Sequence, residues 1–331
     1  MGHRGACQVA NAATDSIADV SVPEVMTAVE VDNVRFAGSA PFVTKAAECF
    51  LQRADSVGAI LKDRSICLKT EEDFLGEHYD YVQKTRSLTP KTTRKAKFVY
   101  DLLRSRDVFR TQQLLAIYGL LLYAANTLRV VIARFHWAMR FMSFVSGTEL
   151  TVEHHLPPSV KMELVEWAKI AAANDPVAVW QTDTAEPDFT IFTDASATGW
   201  GAVSISKNGS VLQVSQQWSP RDQEVYDLQS SVQAEPLAIR YAVQALVPAH
   251  ANDVVIFTDH MPFVYAFERT FGHAWSYSMA VQYLRSRRTR FQVRFVQGEL
   301  NPADVLSRAR HPPQALAPPC LPVTSVAGIQ A

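Results

Sequence analysis

Two apolar runs in the second half of the chain end in the same pair of residues. They are Ile191-Phe192-Thr193-Asp194 and Val254-Val255-Ile256-Phe257-Thr258-Asp259. Short runs rich in β-branched and aromatic residues, bounded by turn formers, predict strands. After the first run, "GWGAVSISKNGSVLQVSQQW" alternates on both sides of Asn208-Gly209, which predicts a hairpin. "SSVQAEPLAIRYAVQALV" then carries apolar residues at helical spacing. Past the second run come helical segments at 260–269 and 275–289, a strand in "FQVRFVQ" and a short helix in "NPADVLSR". Three antiparallel strands, a helix, a strand, helices, a strand and a helix make a mixed α/β domain over residues 188–310.

Four acids fall at related places in this pattern. Asp194 and Asp259 end strands, Glu235 lies near the start of the helix between them, and Asp304 opens the last helix. Each has an ordinary alternative, because Asp is also a good turn and cap residue. Acids at the carboxyl ends of neighbouring strands, however, point into one crevice. Four carboxylates crowded there would raise one another's pKa unless cations neutralise them. Oxygen ligands suit hard divalent ions, Mg²⁺ first and Mn²⁺ as an alternative. Two such ions activate a water and stabilise the leaving oxygen of a phosphodiester, without a His, Cys or Ser nucleophile.

"TDASATGWGA", "QAEPLAI", "IFTDH" and "GELNPADVLSR" resemble, in order, the four catalytic blocks of retroelement ribonuclease H domains. The last is the most specific, since Asn-x-Ala-Asp-x-Leu-Ser-Arg closes that domain in gypsy-like and DIRS-like retrotransposons. The resemblance implies an RNase H-like mixed five-stranded sheet flanked by helices. It also implies a metal-binding catalytic set of Asp194, Glu235, Asp259 and Asp304, two Mg²⁺ ions, and cleavage of the RNA strand of RNA–DNA hybrids. Many relatives carry a histidine on the loop before the last acid, where this chain reads Val296-Gln297-Gly298-Glu299.

The first half resembles the reverse transcriptase that precedes ribonuclease H in such polyproteins. "EVDNVRFAGS" resembles the palm hairpin, with Asp32 and Asn33 as the remnant of its paired acids; DIRS/VIPER-like relatives show the same Asp-Asn turn. Here a helix is expected over 41–60 and short strands around Gly76 over 65–88. "TPKTTRKAKFVYDLLRSR" then has Thr89 as N-cap and Pro90 at the first helical position. The helical block at 111–146 resembles thumb and connection. The implied organisation is a disordered stretch 1–22, a partial palm 23–88, a helical thumb/connection 89–187 with a less regular stretch from Pro157-Pro158, the RNase H domain 188–310 and a flexible tail 311–331. Too few residues precede Asp32 for an upstream palm aspartate and fingers, so polymerisation by this chain alone is not expected.

Charge is patchy rather than global. The 331 residues carry a net charge of −1, against the basic balance usual in a compact nucleic-acid binder. Lys84 to Arg110 nevertheless holds nine basic residues and two acids, and no acid occurs between Glu268 and Glu299. Lys91, Arg94 and Lys95 are expected to grip template–primer phosphates, and Arg285, Arg287, Arg288 and Arg290, read as one helix over 283–294, to grip the hybrid. A solvated charged face is the alternative for both patches. Trp218, Trp275 and Tyr277 are candidates for packing on sugars, with core packing the alternative for at least two of them. The four cysteines form no CxxC pair, which indicates a reducing, intracellular setting, cytoplasmic or nuclear. The longest apolar stretch, 114–125, is too short to span a membrane. Other parts of the polyprotein are further expected partners. Rivals from other classes are a binding module that has lost catalysis, a polymerase part completed by another chain, and a scaffold on the same fold.

Overall fold

The computed structural model describes residues 6–30, 33–61, 64, 66, 68–179 and 186–308. They fall in two units, Met1–Glu72 and Asp73–Ala331. In the first, helix α1 (Ala6–Ala18) precedes strands β1 (Met26–Glu30) and β2 (Asn33–Ala37) and helix α2 (Ala40–Ser56). The two strands form the expected antiparallel hairpin, in register from Met26↔Ala37 to Glu30↔Asn33. Asn33 therefore starts a strand rather than sitting in the tip, and Asp32 lies outside the described residues. Residues 6–18 are helical although their small, polar composition suggested disorder. Alanine, which recurs through "ACQVANAATDSIA", costs the least to hold in a helix.

The boundary between units falls within β3 (Glu71–Phe74). In the second unit β4 (Glu77–Asp80) and β5 (Thr85–Leu88) form an antiparallel pair. Gly76 makes the tight turn before β4 at φ +94°, a conformation L side chains rarely adopt. Helix α3 (Pro90–Ser105) is capped as expected, the Thr89 side chain accepting from the Thr92 N–H. After β6 (Val108–Arg110), the single helical block expected at 111–146 is two helices, α4 (Thr111–Thr127) and α5 (His136–Val145). Arg129 adopts φ 52° between them, a left-handed conformation that ends the helix, and the β-branched run Val130-Val131-Ile132 follows, with a slightly lower helix propensity.

Strand β7 (Glu153–His155) leads to α6 (Pro158–Ala173). Pro158, read as the start of an irregular stretch, instead opens this helix, where its missing N–H is no loss. Leu103, Leu114, Leu121, Phe135, Leu164 and Trp167 form a fully buried helical core. Asn174, left-handed at the end of α6, exchanges two hydrogen bonds with the Leu88 backbone at 2.7 and 3.0 Å, and β8 (Val177–Ala178) then pairs with β5.

A second core lies around the sheet of β9 (Phe189–Ala195), β10 (Gly199–Ser206), β11 (Val211–Gln217), β12 (Asp253–Thr258) and β13 (Arg290–Phe295). The order is β11-β10-β9-β12-β13, the first three strands antiparallel and β9, β12 and β13 parallel. Helices α7 (Pro220–Val225), α8 (Ser231–Leu246), α9 (Met261–Glu268), α10 (Trp275–Ser286) and α11 (Asp304–Ser307) complete the expected mixed α/β arrangement. Helix α10 stops at Ser286 and Arg290 already belongs to β13, so the arginine run is not one helix. The alternation of "FQVRF" between apolar and polar residues sets a strand period there. Among the described residues no helix is long and apolar enough to cross a membrane.

Candidate metal centre

Parallel pairing of β9 with β12 aligns Phe192 with Phe257, so both strands end at the same edge, with Asp194 the penultimate residue of β9 and Asp259 just past β12. Helix α8 packs on β9 and delivers Glu235 from its second turn. Pro236 in that turn cannot donate to the Val232 carbonyl. The hydroxyl of Ser276 on α10 donates to it instead, at 2.7 Å. One carboxylate oxygen from each of Asp194, Glu235 and Asp259 lies within 4.8 Å of the others.

Asp194 and Glu235 are 3% and 5% exposed, so their charges are poorly hydrated. At such separations each like-charge pair costs about 3–4 kcal/mol at an effective dielectric near 20. Burial first, then the charges of Asp194 and Asp259, push the Glu235 carboxyl up to about 9. Burial also pushes Asp194 up to about 6, against a hydrogen bond from Ser307, and it raises Asp259. Glu235 Oε1 accepts the Ala195 N–H at 3.2 Å, while among the described residues the buried Oε2 has no hydrogen-bond partner. A buried acceptor left over among converging carboxylates fits a hard divalent cation.

The last block sits over this edge through residues that sequence reasoning did not single out. Ser307 Oγ is 2.5 Å from Asp194 Oδ2, and Asn301 Nδ2 donates to the Thr193 carbonyl at 2.9 Å. Ser196 and Ser215 donate to the carbonyls of Ser307 and Leu306 at 2.7 and 2.6 Å. Gly201 admits α11, since a Cβ there would lie 2.5 Å from Leu306 Cβ and from the Ser307 nitrogen. The small residues of "TDASATGWGA" thus serve close approach. The histidine-free loop runs against the site, a Cβ on Gly298 falling 3.2 Å from Asp259 Oδ2. His260 Nε2 and the Tyr277 hydroxyl are 2.7 Å apart beside it.

Asp304 is placed differently from the other acids. It stands outside the group of three and pairs with Arg308 at 2.6 Å, though its charge reaches Asp194 and Asp259.

The expected nucleic-acid contacts divide. Arg285 lies 4.1 Å over the Phe267 ring; Arg287 donates to the Tyr283 hydroxyl and the Val247 carbonyl; Arg290 pairs with Asp253. All three guanidiniums make contacts within the domain, Arg287 and Arg290 being half-buried, while Arg285 and Arg288 are exposed. The sequence showed a cluster of like charge, but not that each long side chain reaches a partner on another element. Lys91, Arg94 and Lys95 are exposed on the first turns of α3, at the rim of a groove of about 1070 Å³ whose walls include Phe98, Leu102, Leu120 and Tyr123. Trp218 and Tyr277 are buried, whereas Trp275 is 45% exposed and stacks on Trp137 at 5.9 Å.

No protein-family model and no curated protein matches the chain. Among solved structures it is similar to the foamy viral protease-reverse transcriptase dRH in complex with double-stranded DNA. That match has 14% identity and a TM-score of 0.41, covering 87% of this chain and 49% of that one. It is also similar to the N-terminal RNase H domain of a Mycobacterium tuberculosis protein fused to maltose-binding protein, with 18% identity, 36% and 94% coverage and a TM-score of 0.30. A third match is RNase H1 of the halophilic archaeon Halobacterium salinarum, with 14% identity, 36% and 91% coverage and a TM-score of 0.28. The chain thus spans about half the length of the viral protein. Likenesses this distant carry no functional argument. What the chain's own geometry shows is a mixed five-stranded sheet of order β11-β10-β9-β12-β13 flanked by helices.

Proposed function

We propose that this chain is a metal-dependent endoribonuclease that cuts the RNA strand of RNA–DNA hybrids. In this reading it is the C-terminal part of a retrotransposon reverse transcriptase, with Asp32 and Asn33 as a palm remnant in 23–88, a thumb/connection over 89–187 and the RNase H domain over 188–310. The observation that carries the reading is the convergence of Asp194, Glu235 and Asp259 at one sheet edge, with Glu235 Oε2 buried and, among the described residues, without a hydrogen-bond partner. Asp304 joins them as the fourth acid of the proposed set.

Two Mg²⁺ ions (or Mn²⁺) would supply a water activated at neutral pH and stabilisation of the leaving oxygen. The residues do the remainder. Ser307 keeps Asp194 oriented and the Ala195 N–H keeps Glu235 Oε1 oriented, and Glu235 would have to be deprotonated to hold a cation with Asp194 and Asp259. Gly298 leaves the space in front of Asp259 open. The 2′-hydroxyl and A-like shape of the hybrid distinguish it from duplex DNA. Arg288 with Lys91, Arg94 and Lys95 would contact phosphates of hybrid and template–primer. The setting would be cytoplasmic or nuclear, with other polyprotein parts as partners.

The test is cleavage of a labelled RNA–DNA hybrid with Mg²⁺ by the natural chain and by Asp259→Asn. Cutting by the first and none by the second supports the reading. Hybrid binding without cutting by a folded chain replaces it with a non-catalytic binding module, and equal cutting by both refutes the assignment of the acids.

A further inference from the structure

Arg308 occupies an unusual position for a cation beside a candidate metal centre. It follows Ser307, which holds Asp194, and its Nη2 is 2.6 Å from Asp304 Oδ1. The pair is an i,i+4 contact across the last turn of the described chain, with side-chain exposures of 69% for Arg308 and 33% for Asp304. Asp304 is the one acid of the four whose oxygens do not join the 4.8 Å group. The guanidinium also acts beyond its partner, because its charge lowers both Asp194 and Asp259, opposing the effect of Asp304 on the same groups. Among the described residues no basic side chain pairs with Glu235, and Arg308, at the C-cap of α11, is a cation whose charge reaches the cluster.

We propose that Arg308 is a displaceable counter-cation: it holds Asp304 away from Asp194, Glu235 and Asp259, and a divalent ion must exchange with its guanidinium to recruit Asp304. Arg308 is then a positioning residue acting through Asp304, and it sets the metal concentration at which the fourth carboxylate enters. The exchange is cheap in either direction, because an exposed ion pair is worth little and is readily screened. No covalent step is involved, and Arg308 keeps its proton throughout. The inference rests on the metal-site reading above.

The two are separated by measuring Mg²⁺ binding directly, by calorimetry and by Mg²⁺-dependent thermal shift, on the full chain. The variants are Arg308→Gln, Arg308→Lys, Asp304→Asn and the Asp304→Asn/Arg308→Gln double change. Arg308 is largely exposed, so its variants are expected to fold. Arg308→Gln is expected to bind Mg²⁺ about twofold to fivefold more tightly, the range that corresponds to loss of an exposed pair. Arg308→Lys should return binding toward the natural value, and the gain should shrink toward none when Asp304 is already Asn. Unchanged or weaker Mg²⁺ binding by Arg308→Gln overturns the proposal. So does a gain that persists in full beside Asp304→Asn, because Arg308 would then act by its field alone. Absence of Mg²⁺ binding by the natural chain refutes the metal-site reading itself, a result distinguishable from the others.

Discussion

Replacing Glu235 by Gln removes a carboxyl that folding forces to hold a proton in the metal-free protein. Its ordinary value of 4.5 rises to about 9 in the fold, through burial and then the charges of Asp194 and Asp259. Between those limits the folded chain binds a proton that the unfolded chain releases, so stability falls as pH rises through the window and levels off above it. At pH 7 the penalty is about 3–4 kcal/mol, since pH 7 lies well above the ordinary 4.5 and each tenfold change in proton affinity is about 1.4 kcal/mol. Gln keeps the carbonyl that accepts the Ala195 N–H, and its amide group takes the place of the neutral carboxyl's O–H. Glu235→Gln should therefore stabilise the metal-free protein by about 3–4 kcal/mol at pH 7 and hardly at all near pH 5. That corresponds to a Tm gain of about 6–16 °C for a unit of this size. Thermal melts in EDTA from pH 5 to 9 measure it. Millimolar Mg²⁺ should raise the Tm of the natural chain and leave that of Glu235→Gln nearly unmoved. A Tm gain that does not grow with pH, or none at pH 8, would mean that Glu235 is ionised in the fold and would refute the crowding argument.

Ser307→Ala removes the hydroxyl that donates to Asp194 and should cost about 1 kcal/mol. It also lifts Asp194 above its value of about 6, so the Mg²⁺-induced Tm gain should drop more at pH 6 than at pH 8. Gly201→Ala drives a methyl into Leu306 and Ser307 and should cost about 1–3 kcal/mol. Denaturant midpoints would report it, together with faster amide exchange at residues 304–307. Trp167→Ala empties a fully buried site where the indole stacks on Phe135 at 4.8 Å, and should cost about 3–5 kcal/mol in chemical denaturation.

Features written within a few residues of one another were legible in the sequence alone. The β1–β2 hairpin, the Gly76 turn, the Thr89 cap and the strands ending at Asp194 and Asp259 depend on local period and on backbone chemistry, which a short window contains. So do the antiparallel β9–β10–β11 run and its Asn208-Gly209 turn, where Gly209 takes φ 81°. The helix over 6–18 and the break at Arg129 escaped because small residues and β-branched residues shift those balances only slightly.

The partners of long or buried polar side chains were decided by the tertiary structure. Ser307 meets Asp194 across 113 residues, Asn301 meets the Thr193 carbonyl across 108, and Ser276 supplies Val232 with the bond that Pro236 withholds from 44 residues away. Whether an arginine is free for phosphate depends on what lies within reach of its guanidinium. Arg285 found Phe267, Arg287 found Val247 and Arg290 found Asp253. Sequence places the acids at strand and helix ends because those ends obey local rules. Only the packed sheet determines that three of them share a crevice while Asp304 is held by Arg308, because carboxylate separations of a few ångströms are set by inter-element packing.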